Sequence, residues 1–229
     1  MAETIRCIII GRYCIMQSPS PSPAPAPAPA LLYDVLKNGY NRDKTARRTA
    51  LDHTGYALDA DLSDDNVQAY YSGAGHRLIF NVTGTHSLAD WVSDVYCVLG
   101  MVKRTGRYRR AHDALLRAKD KYMVASATVT GHSLGGIIAE LISSGDDVVY
   151  CLDSVCIWQT MRKNDHEYRT RCDVVSWLGA GDARMTTLGN SNFSVFGLPW
   201  RNALNAHSVD QIRDCGVVLS LPRPGVPQN

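Results

Sequence analysis

The feature that most constrains the fold is a glycine pattern around one serine. Gly131, Ser133 and Gly135 form a G-x-S-x-G motif, and Gly136 follows it directly. Residues 125–130, before the motif, combine small and β-branched side chains, which predicts a buried strand. Five apolar residues after it recur at helical spacing: Leu134, Ile137, Ile138, Leu141 and Ile142. A serine on a sharp turn between a strand and a helix is the setting of a nucleophile elbow, where side chains at the glycine positions would collide with neighbouring elements.

Length and composition place this motif in one sizeable domain. The chain has 229 residues, 45% of them apolar, so a core can be buried without disulfides or a metal. The net charge of +2 is too small to indicate nucleic-acid binding. The seven cysteines form an odd set without a C-x-x-C pair, which argues against both a zinc site and a disulfide framework. We therefore expect no metal, no cofactor and no nucleic-acid partner.

The first thirty residues differ in composition from the rest. Residues 18–30 alternate proline with serine or alanine and hold six of the ten prolines, which predicts an extended, semi-rigid linker. This linker separates a short segment of unassigned role, residues 1–17, from a domain over residues 31–229. Arg6 and Arg12 interrupt the apolar stretch of the first segment, so it makes a poor signal peptide. No run approaches the ~18 apolar residues that span a bilayer, and we expect a soluble protein of unassigned localisation.

The predicted domain alternates helical and strand-like segments. Three segments have helical spacing: residues 31–50, 88–99 and 108–122. Four segments are typical of short buried strands: residues 77–82, 125–130, 147–152 and 168–177. Helices that alternate with short apolar strands favour a sheet covered on both faces. The pattern predicts an α/β fold in a single domain, with a mostly parallel central sheet flanked by helices.

A serine hydroxyl needs a base, which a neutral histidine can supply. Where the elbow occurs in α/β-hydrolases, the triad follows the order serine, acid, histidine. His166 and His207 both follow Ser133 at a distance. His207 is favoured because it comes after all predicted strands, where a loop can return it to the carboxyl edge of the sheet. We expect His132, beside the serine, to point elsewhere along the strand.

Three aspartates are candidates for the acid of the triad. This acid is expected at the carboxyl end of a strand. Asp173 stands where a strand-like segment gives way to a loop, and Asp182, in a glycine-rich stretch, is its competitor. Asp153 also ends a predicted strand, but one strand earlier than the usual placement. We predict a triad of Ser133, Asp173 and His207, with Asp182 as the alternative acid.

Two further blocks resemble those of the class 3, or fungal-type, lipase family of α/β-hydrolases. Residues 78–91 are similar to the family's hydrophobic strand, which is followed by Gly-Thr or Gly-Ser and a helix with a tryptophan. Residues 173–176 are similar to its acid motif. The resemblance runs over residues 65–215, with the motifs in the family's order. The chain departs from the family in two ways: it lacks the prolines after the acid, and Val82 and Thr83 stand where an arginine often precedes the Gly-Thr.

The resemblance implies roles for further residues. Thr85 takes the family's oxyanion-hole position, together with the backbone N–H of Leu134. The segment after Thr85 takes the position of the family's lid, and residues 88–99 carry an apolar stripe that suits contact with lipid. The implied activity is hydrolysis of carboxylic esters in acylglycerols or phospholipids, through an acyl-enzyme and without a cofactor.

Other functions stay open at this point. A non-catalytic protein of this fold would bind a lipid or a partner, tethered by its linker, whereas a carboxylesterase or an acyltransferase would act on soluble esters. Eight basic residues against two acidic ones at positions 103–121 favour peripheral contact with an anionic lipid interface. A solvated helix face is the simpler interpretation of the same residues.

Overall fold

The computed structural model describes residues 6–10, 13–17, 29–85, 101–154, 164–170, 173, 186–188 and 207–209. The chain divides into two units, Met1–Ala26 with Pro222–Asn229, and Pro27–Leu221. In the first unit, β1 (Arg6–Ile10) and β2 (Tyr13–Gln17) pair antiparallel as a hairpin. The second unit contains every candidate site residue.

Within the described part of the second unit, seven strands form one mixed sheet in the order β3-β4-β5-β6-β7-β8-β9. These strands are β3 (Ala57–Asp59), β4 (Val67–Ser72), β5 (Arg77–Val82), β6 (Thr128–His132), β7 (Val148–Leu152), β8 (Asp165–Thr170) and β9 (Thr186–Leu188). β3, β4 and β5 pair antiparallel, and every pair from β5 to β9 is parallel. The predicted α/β fold with a mostly parallel sheet is confirmed, and the antiparallel strands β3 and β4 extend it.

Four α-helices lie within the described ranges: α1 (Pro29–Gly39), α2 (Lys44–Thr49), α3 (Gly106–Tyr122) and α4 (Leu134–Ile142). Two short 3₁₀ helices, Asp52–Thr54 and Val102–Arg104, precede β3 and α3. α3 begins two residues before the predicted start, where the side chain of Thr105 accepts the N–H of Tyr108 and caps the helix. The helix predicted over residues 88–99 lies outside the described residues.

The side chains of β5 show how the layers are built. Leu78 and Phe80 pack into the apolar cluster that includes α3 and α4, whereas Ile79 between them packs with α1 residues such as Val35. Successive side chains of a strand point to opposite faces, so helices cover both faces of the sheet. None of the helices that the structure describes has the length and the apolar character needed to cross a membrane.

A pair of carboxyl groups is buried between α4 and the sheet. Glu140 of α4 and Glu167 of β8 are 5% and 2% exposed. One side-chain atom from each of them and Cys151 Sγ lie within 4.8 Å of one another. Burial raises the pKa of the Glu167 carboxyl well above its usual range, and the hydrogen bond with Glu140 raises it further. The pair therefore retains a proton in the folded protein at neutral pH.

We expect Glu167→Gln to make stability less dependent on pH. A carboxyl whose pKa is raised by folding gives stability that is fully present below its unfolded pKa of ~4.3 and is lost as the pH rises through the folded value. The amide has no such proton to lose. Relative to Glu167→Gln, the unfolding free energy of the wild type should fall by about 1.4 kcal/mol per pH unit above pH ~5, as measured by urea unfolding.

The matched control is Asp146→Asn, on the exposed turn before β7, because it removes the same formal charge from the unfolded chain. Its stability curve should follow that of the wild type. Parallel curves for the wild type and Glu167→Gln would show that Glu167 does not carry the bound proton.

Candidate active site

Ser133 lies on a sharp turn between β6 and α4. Its backbone has φ 59° and ψ −130°, a conformation that residues with a side chain avoid and that costs roughly 1–3 kcal/mol. Two backbone hydrogen bonds hold it: the N–H of Ser133 donates to the carbonyl of Leu152 at 3.0 Å, and the N–H of Gly136 donates to the carbonyl of Ser133 at 2.9 Å. The neighbouring strand β7 and the first turn of α4 thus fix this strained conformation together.

The glycines of the motif lie where the chain has no room for a side chain. A Cβ at Gly131 would run into the carbonyl group of Gly135, and a Cβ at Gly135 would run into the carbonyl oxygen of Val82. A Cβ at Gly136 would lie 2.5 Å from the Cβ of Ser154. The spacing of the motif therefore reflects the close approach of the turn to the ends of β5 and β7.

Asp173 and His207 lie side by side in the interior. His207 Nδ1 is 3.1 Å from Asp173 Oδ1, and the two side chains are 3% and 0% exposed. The N–H of Asp173 donates to the carbonyl of Thr170, the last residue of β8, at 3.1 Å. The structure therefore brings together the acid and the histidine that the sequence analysis paired, at the carboxyl end of β8. Asp182 lies outside the described residues, and His166, the histidine that was passed over, stacks on Tyr150 in the sheet.

His132 connects this pair to the turn that carries the serine. His132 Nε2 lies 2.9 Å from the carbonyl oxygen of His207, and the centroids of the two rings are 4.8 Å apart. The expectation that His132 points away from the site is wrong, because the chain at His207 covers the face of β6 on which His132 lies. A carbonyl can only accept, so His132 Nε2 carries the proton and donates it.

Tyr40 of the chain after α1 extends this connection to the loop after β5. Its hydroxyl lies 2.7 Å from His132 Nδ1 and accepts the N–H of Gly84 at 3.0 Å. Since Nε2 of His132 is the protonated nitrogen, Nδ1 accepts the hydroxyl proton of Tyr40. Burial lowers the pKa of His132 to about 3, with His207 as a further cause, so the ring stays neutral. A directed chain thus runs from Gly84 through Tyr40 and His132 to the carbonyl of His207.

Arg107 of α3 holds the same loop through its carbonyl groups. Its guanidinium donates to the carbonyls of both Thr83 and Gly84. A Cβ at Gly84 would lie 3.2 Å from the Cβ of Ser133, which shows how closely the loop approaches the serine. Thr85, predicted for the oxyanion hole, is half-buried and directly follows Gly84.

Leu134, the other residue predicted for the oxyanion hole, is the first residue of α4 and is buried. The N–H groups of a helix's first turn have no acceptor within the helix. Leu134 therefore presents a backbone donor next to Ser133.

The sequence analysis missed Tyr40 and Arg107. It placed Arg107 on a basic face, but only part of that face is free of ion pairs: Lys119 pairs with Asp147 at 2.7 Å, and Lys121 pairs with Asp59 at 2.6 Å. Six basic residues of the segment are exposed, and Lys121 is the one among them in an ion pair described above: Lys103, Arg104, Arg109, Arg110, Arg117 and Lys121. Arg107 could not be singled out from the sequence, because its partners Thr83 and Gly84 lie 24 and 23 positions away.

Asp153 brings a further carboxyl group close to His132 and His207. Ligand atoms of His132, Asp153 and His207 lie within 4.8 Å of one another. Each side chain already bonds protein groups: His132 bonds Tyr40 and the His207 carbonyl, Asp153 bonds Thr170, and His207 bonds Asp173. The three side chains thus belong to one hydrogen-bonded cluster.

Comparison with solved structures identifies the architecture. A deletion mutant of the Rhizomucor miehei lipase in its propeptide complex matches with a TM-score of 0.50 and 14% identity, over 82% of this chain and 79% of that chain. The chain has the α/β-hydrolase fold of the fungal lipases. The native complex of the same lipase gives a TM-score of 0.47 at 14% identity, over 82% of this chain and 81% of that chain. The Lip2 lipase of Yarrowia lipolytica gives 0.40 at 16% identity, over 61% and 67%.

No protein-family model matches the sequence, and no curated protein matches it. At the identities found, the likeness to the lipases shows the fold.

We expect Gly135→Ala to destabilise the protein by about 3 kcal/mol or more, because the new methyl group would collide with the carbonyl of Val82 on β5. The control is Gly145→Ala, where a Cβ meets nothing within 4 Å; it should change stability by less than about 1 kcal/mol. Urea unfolding of both variants measures the difference. Equal stabilities would contradict the close packing of the turn against β5.

Proposed function

We propose that this protein is a serine hydrolase that cleaves carboxylic ester bonds of lipids, such as acylglycerols or phospholipids, with Ser133, Asp173 and His207 as its triad. The buried contact between Asp173 and His207, tied through His132 to the turn at Ser133, carries the proposal. The fold shared with fungal lipases supports it. The strained conformation of Ser133 supports it as well, because strain of this kind is typical of a nucleophile elbow.

In the proposed acylation step, His207 acts as the base. Asp173 accepts the Nδ1–H of His207, which leaves Nε2 of the ring as the basic nitrogen. Nε2 takes the proton of the Ser133 hydroxyl while the oxygen attacks the ester carbonyl. The tetrahedral intermediate collapses when His207 returns the proton to the departing alcohol, and the acyl group stays on Ser133.

Deacylation uses the same groups in reverse. His207 removes a proton from a water molecule, which attacks the acyl-enzyme, and the fatty acid leaves as Ser133 regains its proton. The negative oxygen of both intermediates lies against Thr85 and the N–H of Leu134. This chemistry uses side chains and backbone donors of the chain itself and requires neither a metal nor a cofactor.

The loop after β5 is suited to an oxyanion hole because it is held before substrate arrives. Tyr40 bonds the N–H of Gly84, and Arg107 bonds the carbonyls of Thr83 and Gly84. Donors that are fixed in advance stabilise developing charge without reorganisation. Arg107 also adds a positive charge close to this loop.

Labelling with a fluorophosphonate tests the nucleophile. Peptide mapping should place the label on Ser133, and Ser133→Ala should lower kcat on a p-nitrophenyl ester by about 10,000-fold or more. Asp173→Asn should slow labelling to a similar degree, because the amide favours the wrong tautomer of His207. Asp182→Asn, the alternative acid, should label at the wild-type rate.

The same assay separates the possible functions. Full activity of Ser133→Ala would overturn the triad. Folded wild-type protein that resists labelling even with detergent present would indicate a non-catalytic binding protein. A rate that rises sharply once the ester forms an interface would support a lipid substrate, whereas saturation below that point would indicate a soluble-ester carboxylesterase.

Arg107→Met tests the proposed oxyanion loop. Loss of the guanidinium frees two carbonyls of the loop, so we expect kcat to fall by about 10- to 100-fold, less than the cost of removing an oxyanion donor outright. The control is Arg109→Met on the exposed side of the same helix, which should retain the wild-type kcat. Wild-type kcat in Arg107→Met, or an equal loss in both variants, would contradict a specific role in the loop.

A further inference from the structure

Asp153 is a buried carboxyl group that the proposed triad does not use. It directly follows β7 and is 0% exposed. Its backbone has φ 49°, in the left-handed region that is uncommon for residues with a side chain. Its N–H donates to the carbonyl of Tyr168 on β8 at 2.7 Å, which holds the turn in place. Backbone strain of this kind concentrates at functional sites, so Asp153 is a candidate functional residue.

Thr170 anchors both aspartates at the end of β8. Its N–H and its hydroxyl donate to the two carboxyl oxygens of Asp153, at 2.5 and 2.9 Å. Its carbonyl accepts the N–H of Asp173 at 3.1 Å. The carboxyl groups of Asp153 and Asp173 lie close enough for each to influence the charge of the other. Because Asp173 also lies 3.1 Å from His207 Nδ1, the groups form a row from Asp153 through Asp173 to His207.

One of the two carboxyl groups must carry a proton, since two carboxylates repel each other in a buried site and cannot hydrogen-bond. Burial raises the pKa of Asp153 well above its usual range, and the charge of Asp173 raises it further, against the opposing effect of the Thr170 donors. Asp173 faces the Nδ1 of His207, which favours its charged form. Asp153 is therefore the member that holds the proton.

The remaining titratable groups around Asp153 fit this distribution of charge. His132 from the end of β6 has a ligand atom within 4.8 Å of Asp153 and His207. It is neutral, because burial lowers its pKa to about 3. His207 is already paired with Asp173. Among the described residues, the charge that faces Asp153 most directly is thus the carboxylate of Asp173.

We propose that Asp153 is a positioning residue: a neutral carboxylic acid that donates its O–H to the Asp173 carboxylate while Asp173 accepts the Nδ1–H of His207. This rests on the proposed roles of Asp173 and His207. The donated hydrogen bond fixes which oxygen of Asp173 faces the ring. It also withdraws charge from Asp173, so that the carboxylate holds protonated His207 less tightly.

Two substitutions at position 153 test whether the hydrogen-bond donor, rather than a negative charge, is what matters there. Asp153→Asn retains an N–H donor at the same place, whereas Asp153→Ala removes it. We expect Asp153→Ala to lose about 10- to 100-fold in kcat/KM through misplacement of His207. Asp153→Asn should restore most of the kcat/KM that Asp153→Ala loses, because its amide still donates a hydrogen bond.

Infrared spectroscopy of the full chain gives a measurement that does not depend on activity. At neutral pH the wild type should show the carbonyl band of a buried protonated carboxyl group, and Asp153→Asn should lose it. Glu167→Gln identifies the separate contribution of the Glu140 and Glu167 pair. If Asp153→Ala does not fold, the activity of Asp153→Asn and its infrared band still test whether Asp153 is a protonated donor.

The outcomes distinguish this proposal from the function on which it rests. If Asp153→Asn loses activity as severely as Asp173→Asn, on the order of 10,000-fold, or removes no protonated-carboxyl band, Asp153 is a charged partner of the histidine and the proposal is overturned. A loss in Asp153→Asn equal to that in Asp153→Ala also overturns it. If instead the wild type is not labelled at Ser133, the hydrolase function fails, while the infrared band still reports the protonated state of Asp153.

Discussion

The positive φ of Ser133 depends on backbone contacts that reach across three strands. Its N–H is held by β7, and the glycine that follows two residues later passes against the end of β5. These contacts exist because β5, β6 and β7 are adjacent and parallel, which brings their carboxyl ends to one edge of the sheet. The register of the three strands thus sets the position of the serine, and the loop after β5 and the residues after β7 are placed by the same register.

Much of this arrangement could be predicted because its signals are local. The glycine spacing and the flanking periodicity indicated the turn, and β5 was predicted with its observed bounds. β4 was not predicted: Gln68 is a fully buried polar residue in it, so hydrophobic alternation does not reveal the strand. Tyr40 could not be found from sequence either, because its partner His132 is 92 positions away. The pairing of Asp173 with His207 had a signal in motif order, but its catalytic role remains a proposal.

Hydrogen bonds rather than apolar packing determine the position of the loop after β5. Beneath it, the amide of Asn81 donates to Gln68 Oε1 at 2.6 Å, and the hydroxyl of Thr83 donates to the same oxygen at 3.1 Å. Tyr40 and Arg107 add bonds to the next backbone groups. Buried hydrogen bonds specify one arrangement more strictly than apolar contacts, which tolerate repacking. The loop is therefore constrained through three separate elements of the fold.

The chain from Gly84 to His207 has a direction that its end groups impose. It starts at a backbone amide, which does not accept, and ends at a backbone carbonyl, which does not donate. Every intermediate donor is fixed as a result, so no proton can be relayed along the chain in either direction. The chain of hydrogen bonds therefore fixes the position of His207 but carries no proton to its imidazole ring.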